Sequence, residues 1–164
     1  MNLTGLLTQL TRADEVREVV SAAPQRGILD VVAPVGLRPP LVAQIAREAV
    51  QAEEENASGM FVVATATGRE AQDFADALAC YMPAHEVAVL PAWETLPHER
   101  LSPRSDTVAR RLAVFRRLTH PETDPEAVQS GRGPIKVLLV PVRSLLQPVV
   151  TGLGDLVPVT VNTG

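Results

Sequence analysis

The sequence lacks the residues on which several kinds of protein depend. It holds one cysteine, Cys80, so it has no internal disulfide, which fits a reducing compartment. A single cysteine cannot complete a structural zinc site, and His85, His98 and His120 have no ligand-like spacing. No G-x-S-x-G turn is present, so the common nucleophile elbow is excluded. No apolar run is long enough to span a bilayer, and the first residues lack a basic stretch followed by an apolar core. The expectation is a soluble, cytoplasmic chain with no metal centre and no membrane partner. Net charge is −4, which argues against nucleic-acid binding by the whole surface and leaves only a local basic patch. Hydrophobic residues make up 46% and charged residues 21% of the 164 positions. That balance suits one globular domain able to bury a core.

What is present is organised around Leu90 to Asp106, LPAWETLPHERLSPRSD, which contains the one tryptophan, Trp93, and three prolines. Proline fixes φ and biases its predecessor toward extended backbone, so an ordered loop is expected. Ser102 and Pro103 suit the N-cap and first position of a helix, and Asp106 in its first turn complements the helix dipole. A lone tryptophan after a strand packs on its own domain more often than it anchors a partner, so Trp93 is expected to be largely buried.

Before this stretch, Leu3, Leu6, Leu7 and Leu10 share one helical face, and a second helix is expected over 13–23 with Thr11 as cap and Val16, Val19 and Val20 inward. Apolar strands are expected at Ile28–Val35, Met60–Thr67, Glu86–Leu90 and Ile135–Val142, with a further strand-like run at Val157–Val161. Helices are expected over Leu41–Ala52, Ala71–Tyr81, Ser105–Thr119 and Arg143–Val149, and His120–Pro134 as a loop. Continuous apolar strands separated by helices predict an α/β fold: three layers, a mostly parallel sheet with helices on both faces.

Two constellations could carry chemistry. Val63–Glu70, VATATGRE, stands where a phosphate loop would stand, after a buried strand and before a helix. The working motif is G-x-x-x-x-G-K-[ST]. Here Val63 replaces the first glycine, Arg69 the lysine and Glu70 the hydroxyl; only Gly68 survives. The loop therefore either never bound nucleotide or has lost the ability, and no cofactor is expected. Secondly, Arg104, Arg110, Arg111, Arg116 and Arg117 cluster on or near one helix, whose buried side is marked by Val108, Leu112 and Phe115. Arg110 and Arg117 are seven apart and share a face, as phosphate tracking would require. The competing reading is a solvated face paired with acids such as Glu99 and Asp106. Arg104, Arg110, Arg117 and Trp93 are thus the candidate contacts with nucleic acid or a partner.

WETLPHERLSPRSDTVARRL also resembles a segment near the N-terminus of the transcription-repair coupling factors (Mfd), and IKVLLVPVRSLLQPV resembles the strand and helix that follow it there, with a recurring PV…L.Q pattern. The resemblance covers about 27–164. It implies that 27–164 is the first domain of a UvrB-like module, ending before the second, UvrA-binding domain, and that 1–26 is a helical segment packing on it. It implies a P-loop-NTPase-like domain with a degenerate phosphate loop. The intact protein would be an ATP-dependent DNA translocase, using ATP and magnesium in motor domains elsewhere. It would displace stalled RNA polymerase from double-stranded DNA and recruit excision repair through UvrA. This segment would be a non-catalytic scaffold. The alternatives are a small nucleotide-binding α/β enzyme with a divergent loop, and a nucleic-acid-binding module using the Arg-rich helix.

Overall fold

The computed structural model describes residues 2–23, 27–52 (backbone only at 49–52), 59–95, 102–153, 156 and 159. Its centre is a three-stranded parallel sheet of β1 (Phe61–Thr65), β2 (Val87–Val89) and β3 (Val137–Pro141), in the order β1-β3-β2. Phe61 is opposite Val137 and Thr65 opposite Pro141, while Val87 and Val89 are opposite Val137 and Leu139. All five residues of β3 are buried. An unbroken apolar strand buried on both faces is the expected occupant of such a central position.

Successive β3 side chains point to opposite faces, and the two faces meet different helices. Val137 and Leu139 lie in a core with Leu7 of α1 (Thr4–Leu10), Ala43 and Ala46 of α3 (Arg38–Ala52), and Ala71 and Leu78 of α4 (Gly68–Leu78). Leu138 and Val140 lie in a second core with Ala88, Leu90, Ile135 and Val114 of α5 (Ser105–Thr119). A smaller cluster joins Val16 and Val20 of α2 (Asp14–Ala22) to Leu41 of α3. The fold is therefore α/β and three-layered. The second layer is incomplete over the outer strand: Val62 and Ala64 of β1 remain exposed.

Several local expectations change. Residues 28–34 form no strand; Ile28 and Val32 are 87% and 104% exposed. β-branched residues fit a pleated surface but need a partner ladder, and this stretch has none among the described residues. Its last residues lead through a 3₁₀ turn, Val35–Leu37, into α3, whose first turn buries Pro39 and Pro40. Thr11 ends α1 instead of capping α2, which has Ala13 at its N-cap. The 120–134 loop contains a short helix, α6 (Pro125–Gln129), because the Asp124 carboxylate accepts the Glu126 and Ala127 N–H groups and Pro125 suits the first turn. α7 (Val142–Leu145) is shorter than predicted. Of Val157–Val161 only Val159 lies within the described residues, and His98, Glu99 and Arg100 lie outside them.

The Arg-rich helix is also rotated from its predicted setting. Its buried residues are Thr107, Arg111 and Val114, while Leu112 is 47% exposed and Val108 and Phe115 are half-buried. It starts at Ser105, with Arg104 at the N-cap and Ser102–Pro103 outside. The reason lies in the preceding loop: the Glu94 carboxylate accepts both the Arg104 N–H and the Thr107 hydroxyl. A carboxylate from elsewhere in the chain takes the place Ser102 was expected to fill, with the charge sign that a helix N-terminus favours.

Candidate functional site: a cleft at the carboxyl ends of the strands

All three strands run parallel, so their carboxyl ends open on one edge, the usual place for a ligand in such sheets. There Ala66–Gly68 follow β1, Pro91–Glu94 follow β2, and Pro141–Arg143 end β3 and begin α7. Together with Arg104, Asp106 and Arg110 they line a cleft of about 610 Å³. Of the residues singled out from sequence, Gly68, Trp93, Arg104 and Arg110 meet at this cleft. Val63, Arg69, Glu70 and Arg117 do not line it.

The turn after β1 is built against holding a phosphate. Val63 lies inside the strand, paired with Leu139, and only Ala66 and Thr67 separate β1 from α4. Thr67 is the N-cap, and its Oγ1 accepts the Glu70 N–H at 3.1 Å. Glu70 reaches back, its Oε2 accepting the Ala66 N–H at 3.0 Å. These donors are of the kind an anion would need at a helix N-terminus, and the chain's own groups occupy them. T-x-x-E is the capping-box spacing, so this arrangement was written in the sequence as T-G-R-E. Arg69 projects into solvent, with only a 3.9 Å contact to Asp73.

Beneath the cleft lies the residue that sequence reasoning placed least well. Arg111 is 1% exposed. Its Nη1 donates to the Pro91 carbonyl at 2.6 Å and to Ser144 Oγ at 3.0 Å. Its guanidinium lies 4.4 Å from the Trp93 ring centre and 5.5 Å from that of Phe115. No carboxylate pairs with it among the described residues, its Nε has no partner, and burial lowers its pKa from the ordinary arginine value. Aromatic faces and carbonyl dipoles thus compensate this charge. Trp93 is half-buried as a result, not largely buried. Its backbone is held from the other side: the N–H donates to Gln147 Oε1 at 2.7 Å and its carbonyl accepts from Gln147 Nε2 at 3.2 Å. Gln147 is the glutamine of SLLQPV, and no periodicity argument could have given it this role.

Arg117 is used up structurally. Its guanidinium donates to the carbonyls of His85, Gly133 (2.8 Å) and Pro134 (3.3 Å), tying the end of α5 to the starts of β2 and β3. Burial lowers its pKa too. Sharing a helix face with Arg110 therefore does not make it a second phosphate contact. Glu94 has its pKa held below the ordinary 4.5, first by the Thr107 hydroxyl, with its own backbone N–H and Arg104 adding to the effect against some desolvation. The sign follows: a depressed carboxylate contributes stability above its ordinary value, lost as pH falls through the folded value. Thr107→Val should move the Glu94 titration upward toward 4.5 and weaken the acid sensitivity that it causes. Carboxyl-detected NMR titration reads this directly, and an unmoved Glu94 would refute the assignment.

The fold and cleft define the class first: an α/β domain on a parallel sheet, with a self-capped turn where a phosphate loop would stand. No protein-family model matches the chain. It is 39% identical over 163 residues to the transcription-repair-coupling factor of Mycobacterium bovis, and equally to that of Mycobacterium tuberculosis. The alignment covers 99% of this chain and 12% of each relative. The chain belongs to the transcription-repair-coupling factor (Mfd) family, of which it carries one segment.

Proposed function

We propose that this segment is a non-catalytic scaffold of a transcription-repair coupling factor. The observation that carries this is the two-residue turn between β1 and α4, where the Ala66 N–H donates to the Glu70 carboxylate and the Glu70 N–H to the Thr67 hydroxyl. A carboxylate at that point repels the phosphates that a nucleotide would bring. Residues 27–164 serve as the first domain of the UvrB-like module, and the helical segment 1–26 packs on it, with Leu7 in the main core and Val20 against α3. ATP and magnesium then belong to motor domains elsewhere in the parent, a DNA translocase that displaces stalled RNA polymerase and passes the lesion to excision repair in the cytoplasm. Isothermal titration with magnesium–ATP, alongside a phosphate-release assay, tests the scaffold reading. Neither turnover nor magnesium-dependent binding is expected; binding abolished by Arg69→Ala would instead establish a divergent nucleotide site.

UvrA recruitment falls to a second domain beyond this segment. The isolated chain should then bind purified UvrA weakly or not at all in a calorimetric titration. Tight stoichiometric binding by the 164 residues alone would move the interface into this domain.

A further inference from the structure

We propose that the cleft at the carboxyl ends of the strands recognises phosphate groups through arginine side chains, with no phosphate loop. Three guanidinium groups reach it from two elements: Arg104 from the N-cap of α5 and Arg110 from its body, and Arg143 from α7. A merely solvated helix face would draw its charges from one element. None of the three makes an ion pair within 4 Å among the described residues. Arg110 reaches Gln72 Oε1, and Arg143 the Glu94 carbonyl, each at 3.4 Å, the far end of the hydrogen-bond range. Each guanidinium has five N–H donors, so most remain for a ligand.

The acids at the cleft do not cancel this. Glu94 is committed to the Thr107 hydroxyl and the Arg104 N–H, and its charge interacts with Arg104. Among the described residues Asp106 is the second carboxylate there, so the described lining carries three guanidinium groups against two carboxylates on a chain of net charge −4. A further positive charge lies under the floor, because Arg111 donates to the carbonyl of Pro91, a lining residue, with no carboxylate beside it. Guanidinium forks match the two-oxygen edge of a phosphate, and the volume lies within the range of small-ligand sites. The ligand chemistry is a phosphate, carried on a nucleic-acid backbone or free as a small polyphosphate. Separate probes distinguish these sources.

Trp93 lines the cleft and is the one tryptophan in the sequence, so its fluorescence reports occupancy. The 164-residue chain is titrated at low salt, without magnesium, with pyrophosphate, single-stranded oligothymidylate, a duplex of equal length, and a glutamate-rich peptide of equal charge. A saturable change is expected with pyrophosphate, with an oligonucleotide, or with both; which of them responds names the source. Arg110→Ala and Arg143→Ala should each weaken binding about tenfold, with unchanged circular dichroism, while Arg69→Ala should not. For a single strand each lost phosphate contact should reduce the slope of log affinity against log salt by about 0.7. The proposal is overturned if no phosphate probe saturates, if binding survives both variants, or if the peptide binds as well with the same variant dependence. The last result would make the cleft a site for an acidic protein. Dependence on Arg69 bears on the phosphate turn and the scaffold reading, whereas dependence on Arg110 and Arg143 bears on the cleft.

Discussion

Arg111→Ala is expected to destabilise the chain by about 3 kcal/mol. Two charge-assisted hydrogen bonds are lost, to Pro91 and Ser144, each worth roughly 1.5 kcal/mol or more. Stacking against Trp93 and Phe115 goes as well, at roughly 1 kcal/mol. Against these stands relief: the side chain is a buried cation with no ion-pair partner among the described residues and an unsatisfied Nε. Replacing such a charge by an apolar side chain of similar volume is often far milder than truncating it. Arg111→Met should therefore cost clearly less than Arg111→Ala, and Arg111→Lys should cost about as much as alanine. Lysine keeps the charge but presents no flat fork to stack on the indole. Urea denaturation of the three variants ranks them. A lysine variant as stable as the native chain would show that point charge matters and planar geometry does not.

Arg117→Ala should cost about 2 kcal/mol. Three backbone carbonyls, of His85, Gly133 and Pro134, lose their shared donor; water can replace it at exposed Pro134 but not at buried Gly133. The loss should fall on stability and leave phosphate affinity per folded molecule unchanged. Thermal unfolding combined with the fluorescence titration separates the two effects. Reduced affinity at full stability would return Arg117 to the binding surface.

The two arginines also show where the sequence was legible and where it was not. The strands at 61–65, 87–89 and 137–141 could be read because each is a short apolar run between turn residues, and such runs specify a buried parallel sheet. The departure from the phosphate-loop motif could likewise be read from Val63, Arg69 and Glu70 alone. The hydrophobic pattern failed on α5 because it assumes that charged residues face water. Arg111 is buried because Trp93, Phe115 and the Pro91 carbonyl, distant in sequence, assemble a site for it. It failed at Ile28–Val35 for the converse reason: β-branched composition without a neighbouring strand among the described residues forms no ladder, and Val35 opens the 3₁₀ turn before α3. The cleft itself could be read only in part. Trp93, Arg104 and Arg110 were near one another in sequence, but Arg143 joins them through the end of a strand 33 positions beyond Arg110.

The middle strand of the sheet is the last to be synthesised. Among the described residues β1 and β2 have no ladder with each other, and both pair only with β3, whose residues begin at Val137. On the ribosome, then, no part of this sheet can close until the sequence through Pro141 has left the exit tunnel. Until then the apolar strands Phe61–Thr65 and Val87–Val89 wait unpaired, the situation in which non-local parallel topologies fold slowly and recruit chaperones. A truncation just before Val137 would leave none of the described sheet, whereas one just after Gln147 would retain its three strands and the clamp on Trp93. The point at which this sheet can form is therefore fixed by one five-residue strand, which follows both of its partners in the chain.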